Sequence, residues 1–118
     1  MTQVNIKRVY DEPSEQDGYR VLVDRLWPRG MKREYLKYDY WAKEVTLSND
    51  LRKWFHADIE KRWGTFADMY QKELNESDAA KAFIDKIKAY SKVTLLYASK
   101  EQERNHANVL KHYLDTHL

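Results

Sequence analysis

The sequence predicts a single α/β domain, a small sheet of three to four mostly parallel strands covered by helices on both faces in three layers. Three observations predict it. Short β-branched or alternating runs open the chain, apolar residues at helical spacing fill its middle, and a last buried strand leads into a last helix. A chain of 118 residues suits one domain with one core, residues 1–118.

Val4, Ile6, Arg8 and Tyr10 alternate with polar neighbours and read as a first strand. Asp11 to Gly18 holds Pro13, Ser14 and an Asp-Gly pair, the composition of a turn. Tyr19 to Asp24 reads as a buried strand that Pro28-Arg29-Gly30 ends with a turn. Tyr38 to Val45 fits a strand better than a helical turn because of its aromatic content. Ser48 is an expected N-cap for a short helix bearing Leu51, Trp54 and Phe55. Asp58 caps the next helix, where Trp63, Phe66, Tyr70 and Leu74 recur on one face. Gly64 inside that helix costs about 1 kcal/mol relative to Ala, so a local packing reason is expected. Ser77 caps a third helix with Ala80, Phe83, Ile84, Ile87 and Tyr90 inward. Val93 to Ala98 is the clearest buried strand, and Ser99-x-x-Gln102 reads as a capping box opening the final helix. On that helix His106, Leu110, Tyr113 and His117 share a face.

Composition excludes several function classes. There are no cysteines, so disulfides, thiolate metal sites and a Cys nucleophile are ruled out. The chain has 21 Lys+Arg against 19 Asp+Glu, short of the bias of a dedicated nucleic-acid binder. Its N-terminus lacks a signal-like apolar region, and Val93 to Ala98 falls far below the roughly 20 residues of a membrane span. A soluble cytoplasmic protein with no membrane association is expected. Residues 20–37 are the most basic stretch, with six bases against two acids and a net of +4.

Ligands of open α/β sheets bind outside the carboxyl ends of the strands. Two segments fall there. In Asp24-Arg25-Leu26-Trp27-Pro28-Arg29-Gly30, two guanidinium forks suit a carboxylate or phosphate, and Trp27 offers a flat apolar wall. Asp24 is placed to orient Arg25 or to act as a base. The second segment brings Lys100, with Asn105 and His106 beyond it, to a helix start that favours anions. His106 is the natural acid/base near neutral pH. The phosphate-loop glycine patterns are missing, His56-x-Asp58 is too little for a metal site, and no cofactor is expected.

Lys7-Arg8-Val9-Tyr10 and Gly18-Tyr19-Arg20-Val21-Leu22-Val23-Asp24-Arg25-Leu26-Trp27-Pro28-Arg29-Gly30 resemble the YeaO-like branch of the domain-of-unknown-function family DUF488. Trp41-x-Lys43-Glu44, Leu51-Arg52-Lys53-Trp54-Phe55, Leu95-Leu96-Tyr97-Ala98 and Asn105-His106-Ala107 extend the resemblance over nearly the whole chain. It implies a small α/β fold and marks Asp24, Arg25, Trp27, Arg29, Trp41, Lys43, Asn105 and His106, but brings no activity. Members often carry a His just before the Asn, where this chain has Arg104. A role resting on that first His is not carried over.

The leading expectation is a site for a small anionic ligand, nucleotide-like in one version, held by Arg25, Arg29 and Lys43 against Trp27. Trp41, Lys100 and Asn105 join the binding set, and any catalysis would use Asp24 or His106 as acid/base. A nucleic-acid or regulatory module using residues 20–37 is the second expectation. The third is a structural domain whose arginine loop meets an acidic protein surface, such as another copy's 11–17 loop. The sequence leaves the oligomeric state open.

Overall fold

A computed structural model describes residues 2–118, and its fold is α/β. The strands are β1 (Gln3–Arg8), β2 (Tyr19–Leu22), β3 (Tyr40–Trp41) and β4 (Lys92–Tyr97). The helices are α1 (Asn49–Ala57), α2 (Ile59–Asn75), α3 (Asp78–Ile87) and α4 (His106–His117). The sheet runs β1-β4-β2-β3 with every pairing parallel. Thus β4, last in sequence, lies between the two strands predicted first. Among the described residues no helix is long and apolar enough to cross a membrane.

Strand alternation divides the core in two. Val4, Val21, Val23, Val93, Leu95 and Tyr97 point to one face, where the buried residues of all four helices join them. Phe55 of α1 stacks on Phe66 of α2 at 3.8 Å, and that pair continues to Tyr70. Leu22 and Leu96 point the other way and meet Val9, Leu36, Trp27, Met31 and Trp41. Helices therefore cover one face only, and the expectation of helices on both is corrected. The opposite cover is the connection between β2 and β3. Pro28 and Gly30 interrupt it, and its apolar residues lack helical spacing, so it packs as an aromatic-rich loop.

Helix starts follow side-chain capping. Ser48 Oγ accepts from Leu51 N at 3.3 Å, Asp58 Oδ1 from Lys61 N at 3.4 Å, and Ser77 Oγ from Ala80 N at 3.1 Å. The last helix differs from expectation. Ser99 Oγ accepts only from Glu101 N in a turn, and α4 begins at His106 with Asn105 as its cap. Residues 100–104 are all charged or polar, so a helix there would have no apolar face to bury. Tyr38 to Val45 is also revised: only Tyr40 and Trp41 pair with β2, and Lys43–Val45 form a 3-10 turn. Gly64 is exposed, and a methyl group there would touch nothing within 4 Å, which removes the expected packing reason.

A polar network sits on the helix-free side. Asp17 takes Lys7 Nζ at 3.0 Å and pairs with the buried Arg20 guanidinium, while its carbonyl accepts from Thr94 Oγ1 at 2.7 Å. Burial alone would raise the Asp17 carboxyl's pKa. Hydrogen bonds from Lys7 and the Ser14 N–H, the Lys7 charge and Arg20 outweigh it and hold the group below its ordinary value. Gly18 follows in a left-handed conformation (φ +66°) and packs so tightly that a Cβ would lie 2.3 Å from the Lys92 carbonyl oxygen.

Candidate functional site

Past the ends of β2 and β4 the chain leaves a cavity of about 250 Å³ between the 24–29 loop, α1 and the start of α4. Asp24 ties these parts together. Its Oδ2 accepts from Ala98 N at 2.9 Å, bridging the two strand ends, and its carbonyl accepts from Trp41 Nε1 at 2.7 Å. Asp24 Oδ1 lies 2.9 Å from His106 Nε2. The imidazole N–H is aimed elsewhere, at the Val23 carbonyl 3.1 Å away. A carbonyl only accepts, so Nε2 carries the proton and Nδ1 holds the lone pair of the neutral ring. Asp24 Oδ1 is sealed from solvent without an aligned donor, and its contact with His106 is one of proximity.

The cationic groups come from three elements. Arg25 and Arg29 on the loop are exposed and pair with no side chain among the described residues. Arg52 on α1 donates to Asn49 Oδ1 at 3.3 Å, while its Nε is buried without a partner. Arg104, just before α4, approaches Glu60 only to 3.8 Å. Asp24 is the sole carboxylate against these four guanidiniums on the cavity wall. His56 stands one helical turn beyond Arg52 and completes that side. Burial, then the Arg52 charge, then His106 hold its imidazole pKa below the ordinary value, and Asp24 works in the opposite direction.

The loop is fixed from behind. Met31 N donates to Pro28 O at 3.3 Å and Gly30 has φ +77°, the requirement of a turn that Gly fills without strain. Tyr10 Oη donates to the Arg29 carbonyl at 2.7 Å, and Trp27 Nε1 to the Met31 carbonyl at 2.6 Å. Arg8 holds the facing loop through Ser99 O at 3.0 Å and Ala98 O at 3.1 Å.

Asp24, Arg25, Trp27, Arg29, Asn105 and His106 thus gather at one cavity. Asp24 holds the Ala98 N–H and lies beside His106, and does not pair with Arg25. Asn105 is buried as a cap, with Oδ1 accepting from Asn108 N and Nδ2 donating to Glu101 O. Trp27 is half-buried against Leu22 and Leu96, with the Arg33 guanidinium 4.7 Å from its ring centre. Three expected residues lie elsewhere. Lys43 Nζ stands 4.0 Å over the Trp41 ring on the helix-free side, and Lys100 is exposed and does not line the cavity. Arg104 also lines the cavity outside the expected set, and Arg52 and His56 are the further residues that sequence reasoning missed. Their i, i+4 spacing on a helix following Ser48 was the available signal.

The family model described as "Inactive DUF488-N3 subclade" matches residues 3–118. The chain belongs to the DUF488 family. It is 43% identical over 111 residues to "Uncharacterized protein YeaO" of Escherichia coli K12, spanning 94% of this chain and 96% of that protein. It is 41% identical over 114 residues to "Uncharacterized protein Rv3073c" of Mycobacterium tuberculosis H37Rv, spanning 97% and 95%. No solved structure matches. This DUF488 chain and those relatives align along nearly their full lengths, so the cavity region falls within the shared part.

Proposed function

We propose that this DUF488 protein binds a small anionic molecule, a phosphate or carboxylate, in the cavity beyond β2 and β4. The observation that carries the reading is the charge imbalance of the wall, four arginines to one carboxylate, with one oxygen of that carboxylate taken by Ala98 N and the other sealed from solvent. Guanidinium forks match oxyanions bidentately, and the half-enclosed site screens them less than open solvent. Among the described residues the Arg25 and Arg29 side chains have no partners to give up, so an incoming anion costs no broken ion pair there.

The basic 20–37 stretch supports a nucleic-acid surface less well. Arg20 is buried against Asp17, and Arg33 lies over the Trp27 ring, so the run does not present one continuous cationic strip. The acidic 11–17 loop is likewise a weaker partner surface, because Asp17 is already paired.

One observation favours a second reading, turnover of the bound anion. The Val23 carbonyl takes the His106 Nε2 hydrogen and so leaves Nδ1 as the ring's unprotonated nitrogen, with the Asp24 carboxylate alongside. The subclade's description as inactive weighs towards binding without turnover.

The test is thermal denaturation of wild type and of Arg25→Ala/Arg29→Ala with inorganic phosphate, pyrophosphate and acetate. At 100 times its dissociation constant an anion adds about 2.7 kcal/mol, several degrees for a domain of this size. The double variant should melt normally without ligand and lose the shift. No shift of the wild type with any of these anions overturns the proposal.

A further inference from the structure

We infer that the ligand's anionic head is carried on a compact apolar body, such as an aryl or branched alkyl group, and not on a sugar. This rests on the anion reading above and narrows it.

Beside its arginines the cavity is lined by Leu47, Phe55, Phe66, Leu26 and Pro28. Phe55 and Phe66 are stacked and buried, forming a rigid floor. Leu26 is 63% exposed, a large apolar side chain on the cavity wall that its own chain leaves mostly uncovered. Such a residue beside an apolar-walled cleft is placed to close over an apolar group.

Acceptors for the hydroxyl hydrogens of a sugar are few on the wall: beyond the His56 and His106 imidazoles, the polar side chains are largely committed. Asn105 uses its amide oxygen on Asn108 N and its amide nitrogen on Glu101 O. Ser99 Oγ already accepts from Glu101 N and keeps one lone pair and its hydroxyl hydrogen. Asp24 Oδ2 holds Ala98 N, and Oδ1 is sealed from solvent. Hydroxyls buried here would lose water without replacement, which is costly. An aryl or branched alkyl group loses nothing and gains the apolar walls.

Isothermal titration of the full chain with phenyl phosphate, ribose 5-phosphate and inorganic phosphate tests this. Phenyl phosphate should bind at least tenfold more tightly than either of the others. Leu26→Asn changes only an exposed side chain, so it should fold normally and narrow that advantage while leaving inorganic phosphate unaffected. Equal affinities, or preference for ribose 5-phosphate, overturn the apolar body but leave the anion site standing. Binding of none of the three overturns both. A full advantage retained in Leu26→Asn overturns the assignment of Leu26 and, with it, the apolar lining.

Discussion

Replacing Asp24 by Ala removes two interactions at once. The Ala98 N–H loses its acceptor at a partly buried strand end, which costs about 1–3 kcal/mol. His106 loses the carboxylate 2.9 Å from Nε2, and neighbours coupled this closely share about 0.5–3 kcal/mol. A combined loss of about 1.5–6 kcal/mol is a large part of the roughly 5–15 kcal/mol that stabilises a domain. At about 4 °C per kcal/mol, the melting midpoint should fall by about 6–24 °C. Asp24→Asn keeps an oxygen for Ala98 N but turns an amide N–H towards the His106 N–H, so it should fall between wild type and Ala. Thermal melts followed by far-ultraviolet circular dichroism measure both. A double-mutant cycle with His106→Ala isolates the pair, and a coupling above about 0.5 kcal/mol is expected. If Asp24→Ala melts within about 2 °C of wild type, or the cycle is additive, Asp24 does not tie the strand ends to α4.

Gly64→Ala should stabilise the protein by up to about 1 kcal/mol, because the position is helical and open; an unchanged or lower melting midpoint would contradict this. Gly18→Ala should destabilise by more than about 2 kcal/mol, since it adds left-handed strain to a clash with the Lys92 carbonyl; urea denaturation reads the loss. The lowered pKa of Asp17 means its pairing stabilises fully above the unfolded-state value near pH 4 and is lost as pH falls through the folded value. Asp17→Asn should therefore weaken the fold at pH 7 and flatten the acid limb of stability; an unchanged acid limb would refute the pairing. His56 should titrate below its ordinary 6.5 by proton NMR, and inorganic phosphate bound in the cavity should raise that midpoint by supplying a nearby negative charge.

Elements governed by local chemistry were legible in the sequence. Ser48, Asp58 and Ser77 cap the helices they were expected to cap, and Val93 to Tyr97 is a buried strand because its apolar run is too short for a helix. The sequence was less informative where two local signals competed. Ser99-x-x-Gln102 and Asn105 both suit a helix start, and the decision fell to the position from which Ala107 and Leu110 reach the sheet. Layering was not legible either, because Trp27, Met31 and Leu36 cover Leu22 and Leu96 without any periodic pattern. In the candidate site, strand ends pointed to Asp24, the arginine loop and His106. The spacing of Arg52 and His56 puts them on one face of α1, but that this face meets the cavity depends on the packing of α1 on α2, which the chain's own periodicity does not record.

The central claim is that anions enter the cavity between the 24–29 loop, α1 and the start of α4. Backbone amide NMR during titration with inorganic phosphate and phenyl phosphate tests it most directly. The account predicts saturable shifts at residues 25–29, 52–56 and 98–106, with little change at 32–43. Shifts centred on 32–43, or none at saturating phosphate, would contradict it.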